Sequence, residues 1–424
     1  MVSIVTVGSR ALKRLLQCAA AIVGLFVGSQ CLAAEPIKIG FSMPLTGGLA
    51  SGGKAALLSI QIWAEGVNEK GGLLGRPVKL VYYDDQSSPA AVPGIYTKLI
   101  EIDGVDLLVS SYGTALQVPA IPLAMRNKRV MMGMVGVASN KQFNYPGFFQ
   151  ISPAGPEPHL EFSRGFFETA MAQTPKPTTL ALVGTDVELS KVALDGAREW
   201  AKRHNLKIVY DKTYPPNVVD LSPVIQAIQA TKPDLVYVAS FPTDTGNFIR
   251  AVHEVGFRPK MLGGGLTGLQ YAALKTQLGD MLNGLVNYEF YAPEPTMESP
   301  SIKAFLAEYQ KRAAKEGVDP LGFYIPPVVF AAMQVLQKAV ENVGSLDQMA
   351  IAADIHAKEF DTIVGKISFG PGGEWTKGRY LLTQYQNVKG NDLDQFRSSG
   401  KNVIVYPPQF KSGEFVYPYA PTVK

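Results

Sequence analysis

The chain carries few side chains able to make or break bonds. Its four histidines, His159, His204, His253 and His356, are scattered, and no two stand at the spacing of a metal-ligand pair. Both cysteines, Cys18 and Cys31, fall within the first 34 residues. No Gly-x-Ser-x-Gly turn presents a serine nucleophile. Asp84-Asp85 is a paired carboxylate, but it closes an apolar run just before Pro89 and reads as a solvated strand end. Residues 48–55 nearly repeat the phosphate-cradling loop, yet Ala55 replaces the Ser or Thr that would hold magnesium. They read instead as a Gly-rich entry loop. No catalytic set, metal or cofactor is expected.

What the sequence offers is recognition chemistry: small, hydroxyl-bearing and aromatic residues at the ends of apolar runs. In an open parallel sheet, ligands bind beyond the carboxyl ends of the strands. The candidates in the first half are Ser111, Tyr112, Gly113 and Thr114, then Val137, Ala138 and Ser139. In the second half they are Thr185, Ser190, Phe241, Gly265 and Thr267. Exposed N–H groups at helix starts suit a carboxylate, although a Ser or Thr there also serves as a plain N-cap. Tyr112 between small residues is unusual for a cap and marks out 111–114.

Positioning these residues requires strands alternating with helices. Residues 37–43 and 78–83 read as strands, with a helix between them whose Ala56, Ile60, Trp63 and Val67 share one face. Strands follow at 105–110 and 129–134. The pattern restarts with strands at 180–184, 207–210, 234–239 and 260–263, separated by helices of ten or more residues. Such alternation implies parallel sheets covered on both faces. The fold class expected is therefore α/β, with two doubly wound Rossmann-like lobes. Pro-rich stretches at 153–158 and 291–295 suit hinge crossings. Two long helices (302–315 and 328–343), a third segment (350–360), strands at 366–369 and 379–386 and a wrapping tail from Asn391 complete the reading.

Residues 1–34 resemble a secretory leader: Arg10, Lys13 and Arg14, then an apolar stretch, then small residues around Ala33 and Ala34. Cleavage near either alanine would leave a chain of about 390 residues without cysteine, stabilised by its core alone. The leader holds three of the 40 Lys and Arg and none of the 36 Asp and Glu, leaving a net charge of about +1. That is no polyanion-binding profile, and nucleic acid is not an expected partner.

Several motifs, taken in order, carry a family resemblance. They are Ile37-Lys38-Ile39-Gly40 with Pro44-Leu45-Thr46-Gly47, the run NEKGGLLGRP at 68–77, DDQSSP at 84–89, and Pro233-Asp234. Phe248-Ile249-Arg250 with Glu254-Val255-Gly256, and Gly365-Lys366-Ile367-Ser368-Phe369 before Gly372-Gly373, extend the match. From about Pro36 to Gln386 the chain resembles the periplasmic solute-binding proteins of branched-chain amino-acid ABC transporters, the Leu/Ile/Val-binding type. The resemblance implies the type I periplasmic binding protein fold, with a three-strand hinge. It implies lobe one as residues 35–153 plus 284–360, lobe two as 154–283 plus 361–424, and a monomer in the periplasm. It also implies a small-molecule ligand, an amino acid or related organic acid or amide, delivered to an ABC permease in the inner membrane, with no catalysis. A sensory protein of the same fold is the alternative.

The same resemblance assigns a ligand carboxylate to Tyr112–Thr114 and Val137–Ser139, and assigns an aromatic contact to Phe241 and further contacts near Ser190. It also implies an acid for the ligand ammonium, in a stretch that here reads Gly263-Gly264-Gly265-Leu266-Thr267 and contains none. A buried ammonium without a counter-charge loses several kcal/mol of solvation. Asp186 or Asp244 could substitute, although neither stands at the matching position. The glycines, with Tyr112, Phe241 and Tyr324, point to a ligand larger or flatter than leucine.

Overall fold

The computed structural model describes Met1 and residues 35–419; the leader, its cleavage point and both cysteines lie outside the described residues. The first sheet comprises β1 (Ile37–Met43), β2 (Val78–Asp84), β3 (Leu107–Val109), β4 (Met131–Gly133) and β5 (Phe148–Gln150). Its order is β2-β1-β3-β4-β5, and every pairing is parallel. The second sheet begins with β6 (Thr179–Thr185), β7 (Lys207–Tyr214), β8 (Leu235–Ser240), β9 (Met261–Leu266) and β10 (Val286–Glu289). A two-stranded hairpin follows, β11 (Glu359–Thr362) and β12 (Gly365–Ser368), and then β13 (Leu381–Tyr385) and β14 (Asn402–Tyr406). The second sheet runs β14-β13-β10-β9-β8-β6-β7, parallel except where β13 and β14 add antiparallel strands at one edge.

Burial explains these elements. The Leu-Val-Tyr-Val-Ala-Ser run of β8 is buried at every position, as a strand covered on both faces must be. The helix Ala50–Glu69 buries Ala56, Ile60, Trp63 and Val67 together, and Trp63 Nε1 donates to Gln337 Oε1 at 3.0 Å on the helix Pro326–Val343. The long helices of the C-terminal third therefore pack on the first sheet's layer.

The chain crosses between the sheets three times, at 151–157, 290–299 and 376–380. The first and third crossings run side by side, with Arg379 N donating to Pro153 O at 2.8 Å. Two expected boundaries move. Val286–Glu289 is a strand of the second sheet, so the return to the first lobe comes after it and not at 284. Residues 359–375 stay with the first lobe, because Ile363 N bonds Gln334 Oε1 at 2.9 Å and Gln150 N bonds Gly373 O at 2.7 Å. The tail does more than wrap the surface: Asn402–Tyr406 is an edge strand of the second sheet.

Two local readings also change. The expected loop at 48–55 is already helical from Ala50. Its glycines serve packing, since a Cβ on Gly52 would lie 2.4 Å from the Tyr112 ring and one on Gly53 would lie 2.0 Å from Pro44 O. Asp85 is not a solvated strand end. It is fully buried and accepts from Ser111 Oγ at 2.6 Å and Ser87 N at 3.1 Å; burial raises its pKa against those hydrogen bonds. Asp84 is half-buried and accepts from Leu45 N at 2.9 Å and Thr46 Oγ1 at 2.7 Å to hold the loop after β1.

Asp234, just before β8, ties three strands of the second sheet at their amino ends. Its carboxylate accepts from Thr178 N at 2.7 Å and Thr179 N at 3.2 Å, and pairs with Lys260 Nζ at 2.7 Å. Burial works to raise its pKa, but the Lys260 and Thr178–Thr179 contacts outweigh it and hold the value at about 2. A depressed carboxyl pKa contributes stability above its unfolded value that is lost as pH falls through the folded one. Asp234→Asn is therefore expected to lower stability by roughly 1–2 kcal/mol at pH 7, after solvent screening. The difference from the unaltered chain should shrink between pH 4 and 2 in denaturant titrations. An equal difference at pH 7 and pH 2 would refute it.

Candidate functional site

The carboxyl ends of the two sheets face each other across a cleft, and the cleft holds a cavity of about 240 Å³. From the first lobe come Leu49, Tyr112–Ala115 after β3, Val135–Val137 after β4, and Tyr324 ahead of the helix Pro326–Val343. From the second come Val187–Leu189 after β6, Phe241 after β8, Thr267 after β9, Tyr288 and Phe290 from β10 and beyond, and Phe162. Tyr380, on the third crossing, closes the hinge side.

The wall is chiefly aromatic. Ring centroids lie 4.5 Å apart for Phe162 and Tyr288, 4.9 Å for Phe290 and Tyr324, and 5.5 Å for Phe290 and Tyr380. Each such pair adds about 0.5–1.5 kcal/mol beyond area burial, which fixes the cage before any ligand arrives. The hydroxyls meet at one end: Tyr288 and Tyr324 are 3.0 Å apart, and Tyr288 donates to Thr267 Oγ1 at 3.5 Å. Burial raises the pKa of Tyr112, Tyr288 and Tyr324, so these phenols stay neutral donors and acceptors.

At the other end, Gly113, with φ +96°, turns the chain into the short helix Thr114–Gln117. Thr114 Oγ1 accepts from Val137 N at 2.9 Å, which leaves its own hydrogen to donate. Thr114, Ala115, Val137 and Glu188 also line a wider outer cleft of about 1240 Å³, so these four form the neck between the cleft and the inner chamber. Opposite the neck, Leu49, Tyr112, Phe241 and Thr267 separate the chamber from a neighbouring cavity of about 440 Å³.

Of the residues expected from sequence, Tyr112, Gly113, Thr114, Val137, Phe241 and Thr267 meet at the chamber. Ala138 and Ser139 face only the outer cleft, and the Ser139 hydroxyl is engaged, donating to Gln117 Oε1 at 2.6 Å within a buried network that includes Gln150. Ser111, Thr185, Ser190 and Gly265 do not line the chamber. Ser111 holds Asp85, Thr185 Oγ1 donates to Asp244 Oδ2 at 2.6 Å, and Ser190 Oγ donates to Ala239 O at 3.0 Å.

The glycines of β9 leave no room for ligand. A Cβ on Gly264 would sit 2.5 Å from the Tyr237 ring, and one on Gly265 would sit 2.8 Å from Val238 O. The strand runs on to Leu266, so these positions lie inside the sheet. Neither suggested substitute acid is available. Asp244 is buried in the turn after β8, accepting from Thr185, Tyr214 and Phe241 N, and Asp186 pairs with Lys191 at 3.0 Å on the surface. Sequence reasoning missed Phe162, Tyr288, Phe290, Tyr380 and Glu188 as lining residues. The first four lie on a helix, an unread strand and hinge crossings, where no strand-end signal points to them. Glu188 was legible, three residues beyond Thr185. Among the described residues, no group of three His, Cys, Asp or Glu is placed to hold a metal ion.

Two doubly wound lobes on a three-segment hinge, with an aromatic-walled chamber between them, define a cleft-binding receptor for a small solute. The chain matches the periplasmic binding protein family over residues 36–390 and belongs to it. It is 24% identical over 359 residues to the leucine-specific-binding protein of Salmonella typhimurium, covering 84% of this chain and 92% of that one. A putative branched-chain amino acid ABC transporter protein from Silicibacter pomeroyi shares the fold, with a TM-score of 0.74, 22% identity, and 91% and 99% of the two chains covered. So does an ABC transporter solute-binding protein of Rhodopseudomonas palustris BisB5, solved with 3,4-dihydroxybenzoic acid. Its TM-score is 0.69 at 21% identity, with 84% and 94% of the two chains covered.

Proposed function

We propose that this protein is the extracytoplasmic solute-binding component of an ABC importer, capturing a small amino acid or related carboxylate or amide between its lobes and delivering it to a membrane permease. The observation carrying this reading is the aromatic-walled chamber between the two sets of strand ends. Its rings suit an apolar body, and the Thr114 hydroxyl and the amides opening the helix Thr114–Gln117 suit a carboxylate. The chamber holds no nucleophile with its own base, which supports binding without turnover. The family's name and the leader-like N-terminus support the periplasm as its location, and we infer that it works as a monomer.

The aromatic wall supports a second reading of the ligand, an aromatic or other organic acid, presented to a permease or to a receptor. The second reading excludes leucine, isoleucine and valine, because β9 brings no acid to the chamber for their ammonium group. Calorimetry against the three amino acids, organic amides and aromatic acids tests this. Binding of a flat or aromatic solute, with a smaller radius of gyration on closure, is the expected result. Micromolar or tighter binding of leucine, isoleucine or valine would sink the exclusion.

A further inference from the structure

We propose that Asp319, which does not line the chamber, is a positioning residue: it fastens the second lobe to the first and so sets how tightly any solute is held. The consequence for affinity rests on the solute-binding reading above; the fastening itself does not. Asp319 follows the helix Pro300–Glu316, which packs on the first lobe's helix Ala50–Glu69 and is pinned there by Arg312 and Glu65 at 2.7 Å. Gly317, at φ +63°, ends that helix and turns the chain. Gln310 Nε2 donates to Leu321 O at 2.9 Å and holds the following loop down on the helix. Within the loop, Asp319 Oδ1 accepts from Leu321 N at 3.0 Å and Gly322 N at 3.1 Å, the local bonds of an aspartate in a turn. They occupy one carboxylate oxygen. The other, Oδ2, accepts from Ala272 N at 2.6 Å, and Ala272 belongs to the second lobe.

Ala272 is buried and opens the helix Ala272–Leu278, in the segment that begins at the chamber residue Thr267. Gln270, between the two, donates Nε2 to Tyr288 O at 2.5 Å. This segment is thus tied to its own sheet at one point and to the first lobe at another. The Asp319 bridge borders the 440 Å³ cavity, on the far side of the chamber from the neck. A second bond between the lobes joins the Tyr288 and Tyr324 hydroxyls at 3.0 Å, but these line the chamber, where a solute competes for them. No solute in the chamber competes for Asp319. Separating the lobes exchanges the bridge for water on both partners. A hydrogen bond to a charged group is among the stronger ones, and its loss shifts an equilibrium by about 10-fold or more. Apparent affinity falls with the fraction of closed protein, so the bridge tightens the hold on every solute alike.

Asp319→Asn tests this on the intact chain. Asparagine has a single carbonyl oxygen; it keeps the local turn and then directs its amide N–H groups at Ala272 N, where they cannot accept. Ala272→Pro removes the donor from the other side. Proline is tolerated at the first helical position, and Tyr271, at φ −106° and ψ 134°, suits a following proline. In the free protein both variants should show a larger radius of gyration by small-angle scattering and faster hydrogen exchange over residues 267–278. Asp319→Asn should melt close to the unaltered chain. Benzoate and L-phenylalanine are the solute probes. By calorimetry each should bind either variant at least ~5-fold more weakly, with the ratio of the two affinities held within about 2-fold. The double variant should bind no more weakly than the weaker single one, because both changes remove the same bond. An unchanged radius and unchanged exchange in Asp319→Asn overturns the fastening. Affinities that hold while the lobes loosen overturn its part in solute capture, and a loss confined to one probe would make Asp319 a solute contact instead. If neither probe nor any solute of the wider screen binds while radius and exchange respond, the solute-binding reading fails and the fastening stands.

Discussion

Phe241→Ala is expected to weaken binding of the best solute by about 30-fold or more while leaving the free protein's stability within ~1 kcal/mol. The reason lies in where the ring stands. Phe241 and Tyr112 come from opposite lobes and form the partition between the 240 Å³ chamber and the adjoining 440 Å³ cavity. Removing the ring joins the two spaces and leaves the ligand bordered by water. Truncating a central aromatic anchor costs about 2 kcal/mol or more of binding, which is the stated fold-change. The fold should tolerate the loss because Phe241 is only half-buried, and because its contribution to the helix Pro242–Val255 is made by its backbone: its N–H donates to Asp244 Oδ1 at 3.0 Å. Tyr112→Ala would be a poorer probe, since that ring also packs over Gly52. Isothermal titration of Phe241→Ala beside a melting curve checks the prediction. An affinity within 3-fold of the unaltered chain would remove Phe241 from the site.

Gly263→Ala should destabilise the protein by ~3 kcal/mol or more without touching the ligand chamber. At φ +131° the residue occupies backbone space that L side chains avoid, and a Cβ there would lie 1.9 Å from Val286 O. That carbonyl belongs to β10, the parallel neighbour of β9, so the clash is with sheet backbone and no side chain can swing away. Strain and overpacking together give the expected magnitude. Gly48→Ala is the matched control, because nothing lies within 4 Å of its added Cβ; it should stay within about 0.5 kcal/mol. Denaturant unfolding of the two variants decides the matter. A Gly263→Ala protein as stable as Gly48→Ala would show that β9 and β10 separate more readily than their register implies.

The two glycine positions illustrate what a sequence hides. Gly264 and Gly265 read as roomy because small residues follow the short strand that ends at Gly263. In the folded chain these three glycines let β10, Tyr237 and Phe166 approach β9 closely, and the space is filled. Ser139 and Thr185 are a similar case. A hydroxyl at a strand end can face a ligand or a neighbouring polar group, and local sequence does not distinguish the two. Gln117 and Asp244, each distant in sequence, take these hydroxyls. The strand Val286–Glu289 went unread because four buried residues between irregular segments carry no periodicity to detect.

Other features were legible because their causes are local. Alternating apolar runs and amphipathic helices fixed the α/β class, the restart near Leu180 and the two sheets, since burial on both faces demands those patterns. Strand ends named Tyr112, Gly113, Thr114, Val137, Phe241 and Thr267, all of which line the chamber. The scarcity of cysteine, paired histidine and nucleophile motifs was visible from composition alone.

By itself, then, the sequence determined a two-lobed binding fold and about a third of the chamber wall, because strand periodicity and strand-end chemistry are short-range properties. Only the tertiary structure decided the character of the chamber. Phe162, Tyr288, Phe290, Tyr324 and Tyr380 are spread over more than 200 residues and meet only in the folded chain. The same fold puts Glu188 at the neck while β9 brings no acid. Charge and shape in a cleft are sums over residues far apart in the chain, and folding performs that sum.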